Sequence, residues 1–227
     1  MQSSGGSLEV FGQLIAKGEE KNPIIFTSSR TEDAAPGDWQ GIIFSHAGSS
    51  QSVAKYCRIQ YASKGISCVS SSPVIQNNIV CNNRIGILCT DFSKPIIDYN
   101  IIENNVEVGI RAEKMSDPQI KYNKTTYNDR YGVWCDNALS LFSHNEISHN
   151  GEYELFYESK KEETFKAFNN YWGTGDHEAI KGKIFGKVEF ILKASEQLKT
   201  TGKKAEEKKG EEETETDPWK KLKESFE

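Results

Sequence analysis

The sequence predicts an all-β protein: a right-handed parallel β-helix of about seven coils, each of roughly 21–25 residues, ending in a charged C-terminal tail. Three observations predict it. First, the stretch 73–132 says nearly the same thing three times, as Ser-Pro-Val-Ile-Gln-Asn-Asn from Ser72, Lys-Pro-Ile-Ile-Asp-Tyr-Asn from Lys94 and Asp-Pro-Gln-Ile-Lys-Tyr-Asn from Asp117. Second, two asparagine columns run in step. Asn78, Asn100, Asn123 and Asn145 are spaced 22, 23 and 22 residues apart, and so are Asn83, Asn105, Asn128 and Asn150. Columns that slip together belong to one structural unit. Third, a glycine column, Gly65, Gly86, Gly109 and Gly132, gives way to Glu154, and an apolar residue follows each member: Ile66, Ile87, Ile110, Val133, Leu155.

Each repeat supplies three short strands. Two residues beyond the apolar column stand Cys68, Cys89, Ala112, Cys135 and Tyr157, on the same strand face by alternation. Ile75, Ile97, Ile120 and Phe142 mark a second strand, and Val80, Ile102, Thr125 and Ile147 a third. A lone coil cannot bury its own inner face, so coils must stack, at a strand spacing of about 4.8 Å. A buried Asn is tolerable only when its amide bonds the equivalent groups above and below. The glycines are expected at corners needing positive φ. Pro73, Pro95 and Pro118 open strands, where a missing N–H is tolerated. Arg84, Glu107, Arg130 and Glu152 alternate in sign from coil to coil and predict solvent-facing ion pairs between neighbours.

In chain order, residues 1–6 read as a flexible start. Residues 5–18 are a weak first coil with Leu8, Val10, Leu14 and Ala16 alternating. Residues 23–29 form a buried strand, 30–38 a polar loop, and Trp39 opens the next strand. The Ser/Gly-rich stretch 46–52 is an exposed loop, after which regular coils run from 53 to about 157. Residues 159–164 are an insertion. Asn170 is a fifth ladder member after a step of 25, Trp172 is placed to cover the end of the stack, and 188–192 is a last strand. The β-helix is thus expected over 7–194. Residues 195–216 are a charged linker with almost no apolar residues. In 217–227, Asp217 and Pro218 suit a helix start, and Trp219, Leu222 and Phe226 fall on one helical face, a docking segment for a partner or for the solenoid itself.

Composition excludes several classes. A net charge of −5 argues against non-specific nucleic-acid binding, and no apolar run is long enough to span a membrane. Met1-Gln-Ser-Ser-Gly-Gly has no charged n-region and no apolar h-region, so it reads as the start of a mature domain or of a cytosolic protein. Three of the five cysteines share the inward column and read as small buried hydrophobes; Cys68 and Cys89 are close enough for a disulfide, which their parallel side-chain vectors disfavour. No CxxC or Cys/His cluster with metal spacing occurs.

With these residues laid out, the chain resembles the bacterial and archaeal right-handed parallel β-helix repeat proteins, including pectate-lyase-like and NosD-type proteins and carbohydrate-binding/sugar-hydrolase modules. The resemblance rests on Pro-Ile-Ile-Phe-Thr-Ser, on Gly37-Asp38-Trp39-Gln40-Gly41-Ile42, on the Pro-x-Ile-x-x-Asn and Asn-x-x-x-Gly-Ile repeats, and on Asn170-Tyr171-Trp172-Gly173-Thr174. It covers about residues 7–192 and implies a periplasmic or extracellular location, with the signal peptide not in this chain. It is specific for fold and not for function, since this scaffold hosts lyases, hydrolases, adhesins and scaffolding proteins. The paired aspartates, Gly-His-Gly and Arg-x-Lys of polygalacturonases are absent.

The candidate chemistry lies on the outward face of the strand after each glycine. Its columns are Ser67, Leu88, Arg111, Trp134, Phe156 and Val69, Thr90, Glu113, Asp136, Glu158. Stacked acids repel unless solvated or bound to a cation or sugar. Arg111, Trp134, Phe156, Glu113, Asp136 and Glu158 are therefore the expected ligand surface, with aromatic rings for sugar faces and carboxylates for hydroxyls. No cofactor is expected, though calcium would suit the acid column. A catalytic alternative, a polysaccharide lyase or glycoside hydrolase, would pair Glu113 with Asp136 at about 5 Å, the retaining distance. The column Asn77, Tyr99, Tyr122, His144 reads as a stabilising outer wall, and His144 and His149 fall on different walls, so they share no metal. The function expected is a non-catalytic binding or structural module contacting polysaccharide or a protein partner. A scaffolding subunit docked by Trp219, Leu222 and Phe226 is the third reading.

Overall fold

A computed structural model describes residues 5–46, 51–138, 141–191 and 224. Strands follow one another in threes. β1 (Ser7–Val10), β2 (Ile15–Lys17) and β3 (Ile24–Phe26) make the first turn; β4 (Gly41–Ser45), β5 (Val53–Lys55) and β6 (Cys57–Gln60) the second. The third is β7 (Lys64–Val69), β8 (Val74–Gln76) and β9 (Ile79–Cys81); the fourth β10 (Ile85–Thr90), β11 (Ile96–Asp98) and β12 (Ile101–Glu103). The fifth is β13 (Val108–Glu113), β14 (Gln119–Lys121) and β15 (Lys124–Thr126); the sixth β16 (Tyr131–Asp136), β17 (Leu141–Ser143) and β18 (Glu146–Ser148). A partial seventh holds β19 (Tyr153–Glu158) and β20 (Phe165–Lys166), and past it come the short helix α1 (His177–Lys181), β21 (Ile184–Phe185) and β22 (Val188–Glu189).

First strands of each turn pair in parallel as sheet A, ending at β21; second strands pair as sheet B and third strands as sheet C. This is the expected right-handed parallel β-helix, with six complete turns where about seven were expected. The register follows the sequence columns: Ile66, Ile87, Ile110, Val133 and Leu155 are direct neighbours, as are Ile75, Ile97, Ile120 and Phe142. Nearly all of these are completely buried.

Both amide ladders form. Asn100 Nδ2 donates to the Ile75 carbonyl at 2.9 Å and to Asn123 Oδ1 at 3.0 Å. Asn100 Oδ1 in turn accepts from the Asn78 backbone N–H and from Asn78 Nδ2, both at 3.0 Å. The same pattern continues to Asn170 in the first ladder and to Asn150 in the second. Backbone donors at the corners, which a buried turn would otherwise strand, thus find side-chain acceptors.

The glycines work differently from expectation. None of Gly65, Gly86, Gly109 and Gly132 has positive φ. They are needed for close approach: a Cβ at Gly109 would lie 2.9 Å from Asn128 Nδ2 and 2.7 Å from the Gly132 carbonyl, and one at Gly132 would lie 2.6 Å from Asn150 Nδ2. The residues just before the ladder asparagines are left-handed instead, namely Asn77, Tyr99, Tyr122, His144 and Asn169 at one corner and Asn82, Asn104, Tyr127 and His149 at the other. Rings at the first corner line up as expected, Tyr99 stacked on Tyr122 at 4.9 Å and His144 tilted by 30° against Tyr122 at 5.1 Å.

Glu154 ends the second ladder. It stands where the glycine column would continue, is 4 % exposed, and its Oε2 accepts from Asn150 Nδ2 at 2.5 Å. A carboxylate takes the place of the next amide. Burial raises its pKa above the usual carboxylate value, against the opposing pull of the Asn150 hydrogen bonds and the nearby Lys183 charge. Beyond it, the buried Trp172 packs on Phe142 and Phe190, and Ile180 of α1 is buried beside them, closing the stack. The alternating charges pair as expected: Arg84 with Glu107 at 3.5 Å, Arg130 with Glu152 at 2.6 Å. The last strand is shorter than the sequence suggested, only Val188–Glu189 against β20.

Candidate functional site

Sheet A has two faces. The inner one is core. The outer one carries a second apolar cluster, with Ile85, Leu88, Val108 and Tyr131 buried and Trp134, Tyr153 and Phe156 packed against them. Register places Arg111 beside Trp134, Trp134 beside Phe156, and Phe156 beside Phe185. Trp134 and Phe156 are half-buried rather than a free platform. Their rings meet edge to face at 5.5 Å, and Phe156 stacks on Phe185 at 4.4 Å with an interplanar angle of 7°. The Arg111 guanidinium covers the other side of Trp134, 4.3 Å from the ring centroid. Phe185, 42 % exposed, is the ring this cluster presents to solvent.

The acid column is in register as read, Glu113 beside Asp136 and Asp136 beside Glu158, but its members are bound differently. Glu113 Oε2 accepts from Arg111 Nε at 2.8 Å, with both side chains largely shielded from solvent, and Thr90 Oγ1 reaches Oε1 at 3.5 Å. Asp136 accepts from Asn137 Nδ2 at 2.5 Å. Glu158 is exposed. Asp136 and Glu158 open into a groove of about 550 Å³, also lined by Lys160 and Lys161 of the insertion and by Phe185 and Lys187. A carboxylate pair, ammonium groups and a stacked aromatic wall therefore meet at the C-terminal end of sheet A.

Of the six residues read from the sequence, Asp136 and Glu158 line this groove, Trp134 and Phe156 pack behind its Phe185 wall, and Arg111 and Glu113 pair with each other one turn back. Sequence reasoning missed Tyr131 and Tyr153, which pair directly and sit three residues before Trp134 and Phe156 on the same face. That column was readable one place after the Arg/Glu alternation. Phe185, Lys160, Lys161 and Lys187 carry no repeat signature. Trp219, Leu222 and Phe226 lie outside the described residues.

Metal ligation has little to build on. Among the described residues no group of three or more His, Cys, Asp or Glu could hold a metal ion. All five cysteines are free and buried. Desolvation pushes the Cys57 thiol up to about 11, and Cys89 is raised well above the ordinary value by its Cys68 neighbour and by burial. Metals bind thiolates, and these sites oppose the thiolate. His144 and His149 each place Nδ1 against the preceding serine hydroxyl, at opposite ends of β18.

Residues 14–183 match the family described as Periplasmic copper-binding protein (NosD). No curated protein and no solved structure matches the chain. No described helix is long and apolar enough to cross a membrane.

Proposed function

The chain belongs to the NosD family, a periplasmic family, and from that premise we propose that it is a non-catalytic binding module whose outer sheet-A groove takes a polysaccharide. One observation carries this reading: Asp136 and Glu158, Lys160, Lys161 and Lys187, and the exposed face of Phe185 line a single groove. Carboxylates and ammonium groups bond sugar hydroxyls, and a flat ring covers the apolar face of a pyranose. A polymer can lie along the strand direction or across turns, where equivalent positions repeat every 4.8 Å or so.

Binding is favoured over the Glu113–Asp136 catalytic pairing, and Asp136 and Glu158 are left as the groove's carboxylates. Glu113 is ion-paired with Arg111, so the Glu113–Asp136 acid/base arrangement lacks one free member. The copper named in the family description finds no group of three ligands among the described residues: the five thiols are buried, burial raises the pKa of Cys57 and Cys81, the Cys68 neighbour and burial raise that of Cys89, and His144 and His149 stand at opposite ends of β18.

The test is calorimetric titration of the full chain against a panel of soluble polysaccharides, run beside a reducing-sugar assay. The expected result is saturable binding to at least one polymer, weakened about tenfold by Asp136→Asn with Glu158→Gln, and no release of sugar ends. Absence of binding across the panel contradicts the reading. Turnover that Asp136→Asn abolishes replaces it with the enzyme.

A further inference from the structure

Between sheets A and B every turn makes a corner. In the fourth and fifth turns two successive residues there are left-handed: Asp91 (φ 55°) with Phe92 (φ 63°), and Lys114 (φ 51°) with Met115 (φ 61°). Large side chains seldom occupy that region. Yet Phe92 and Met115 are 67 % and 55 % exposed, and backbone bonds hold them in line, Phe92 N–H to the Lys114 carbonyl and Met115 N–H to the Asn137 carbonyl, both 3.2 Å. The neighbouring corners carry buried Ser71 and buried Ala138 instead. Two large apolar groups thus stand in a row outside the core, in two adjacent turns only.

They line a cleft of about 690 Å³, together with buried Ala138 and Tyr157 and the insertion residues Lys160 and Lys161. That volume lies in the range of small-molecule sites, about 300–1,000 Å³. Charge decides what fits. Four lysines line the cleft (Lys94, Lys114, Lys160, Lys161) against three acids (Asp117, Asp136, Glu163), and Asp91 stands beside it as the partner of Lys114, so the charges balance and only weak pairing holds the lysines. Three of the lysines are in long ion pairs: Lys94 with Asp117 at 3.7 Å, Lys114 with Asp91 at 3.5 Å and Lys161 with Glu163 at 3.9 Å. Exposed pairs of this kind are weak and yield to a better partner. Lys160 makes no ion pair among the described residues.

The geometry points to a second binding site, for an amphiphilic anion: an apolar chain with one negatively charged head, the chain against Phe92 and Met115 and the head among the lysines. An alkyl chain covers Phe92 and Met115 together where a pyranose would cover one ring, so this cleft differs in chemistry from the polysaccharide groove it adjoins. They share seven lining residues, Asp136, Tyr157, Lys160, Lys161 and Glu163 among them, so the test uses residues that line only this cleft.

Full-length protein is titrated by calorimetry with decanoate, decanol and decyltrimethylammonium, and sedimented with phosphatidylglycerol vesicles. Decanoate is expected to bind saturably, with decanol and the cation at least about tenfold weaker. The Phe92→Ala/Met115→Ala variant should lose about tenfold in decanoate affinity with unchanged melting temperature and unchanged polysaccharide binding. Vesicle binding that needs the same two residues, alongside decanoate binding, identifies a lipid as a source of the same chemistry. Equal affinity for decanol, full decanoate affinity in the double variant, or vesicle binding without decanoate binding overturns the proposal, the last in favour of docking on a membrane surface.

Discussion

Two sets of columns run along the same stack and behave in opposite ways. Inside, the corners carry asparagine in turn after turn, Asn78 to Asn170 and Asn83 to Asn150. Outside, on sheet A, the residue changes at every step: Ser67, Leu88, Arg111, Trp134, Phe156, Phe185. The difference follows from where the hydrogen bonds go. A buried amide is satisfied only by another amide directly above and below, so one substitution strands both neighbours. An outward residue answers to solvent and to its immediate neighbour, so each turn can carry a different group. Uniform columns are scaffold, and heterogeneous ones can carry recognition.

That contrast is easiest to break from the inside. Asn123→Ala removes the acceptor for the Asn100 N–H and Nδ2 and the donor to the Ile97 and Lys121 carbonyls. Buried groups left without partners cost about 1–3 kcal/mol each, so a loss of at least about 3 kcal/mol is expected in denaturant unfolding. A loss below about 1 kcal/mol would mean the ladder is ornamental. Gly109→Ala tests the close-approach role. Its Cβ would come within 2.6 Å of Thr125 Cγ2 and 2.7 Å of a carbonyl oxygen, and overpacking of this kind costs about 1–3 kcal/mol. If it were neutral, the glycine column would have no steric reason.

Glu154 sharpens the comparison at the ladder's end. Its folded pKa is raised above the ordinary 4.5, chiefly by burial. Between the unfolded and folded values the native state holds more protons than the unfolded one, so stability falls as pH rises through that window. Thermal melting of the wild type from pH 4 upward should show this downward contribution, and Glu154→Gln, which keeps an acceptor for Asn150 without a charge, should remove it. An unchanged pH profile in the variant assigns the slope to other groups. The smallest effect is expected outside: Arg84→Ala breaks the exposed pair with Glu107 and should cost about 0–1 kcal/mol. A larger loss would make the outer charges part of the scaffold.

Repetition is what made the fold readable from sequence. Strand register, both ladders, the ring column of Tyr99, Tyr122 and His144, and the Arg/Glu pairs all follow from residues recurring at a fixed step. The role of glycine was misread because positive φ and steric room select the same residue, and only the position of Asn128 Nδ2 beside Gly109 separates them. The candidate site was half legible. Its columns were in register, but Arg111 turning onto Glu113 two residues along its own strand competes with pairing between turns, and spacing does not rank the two. Phe185 and the insertion lysines lie outside the repeat altogether, so the groove they complete has no periodic signal.

A glycan array probed with the full chain and with Phe185→Ala, a change on the exposed ring of the outer cluster that leaves both ladders untouched, tests most directly whether the outer groove binds glycans. Binding to a defined set of glycans that the variant loses, with melting temperature kept within a few degrees, is the predicted result. Glycan binding that survives Phe185→Ala unchanged, or a wild-type protein that captures no glycan at all, would contradict it.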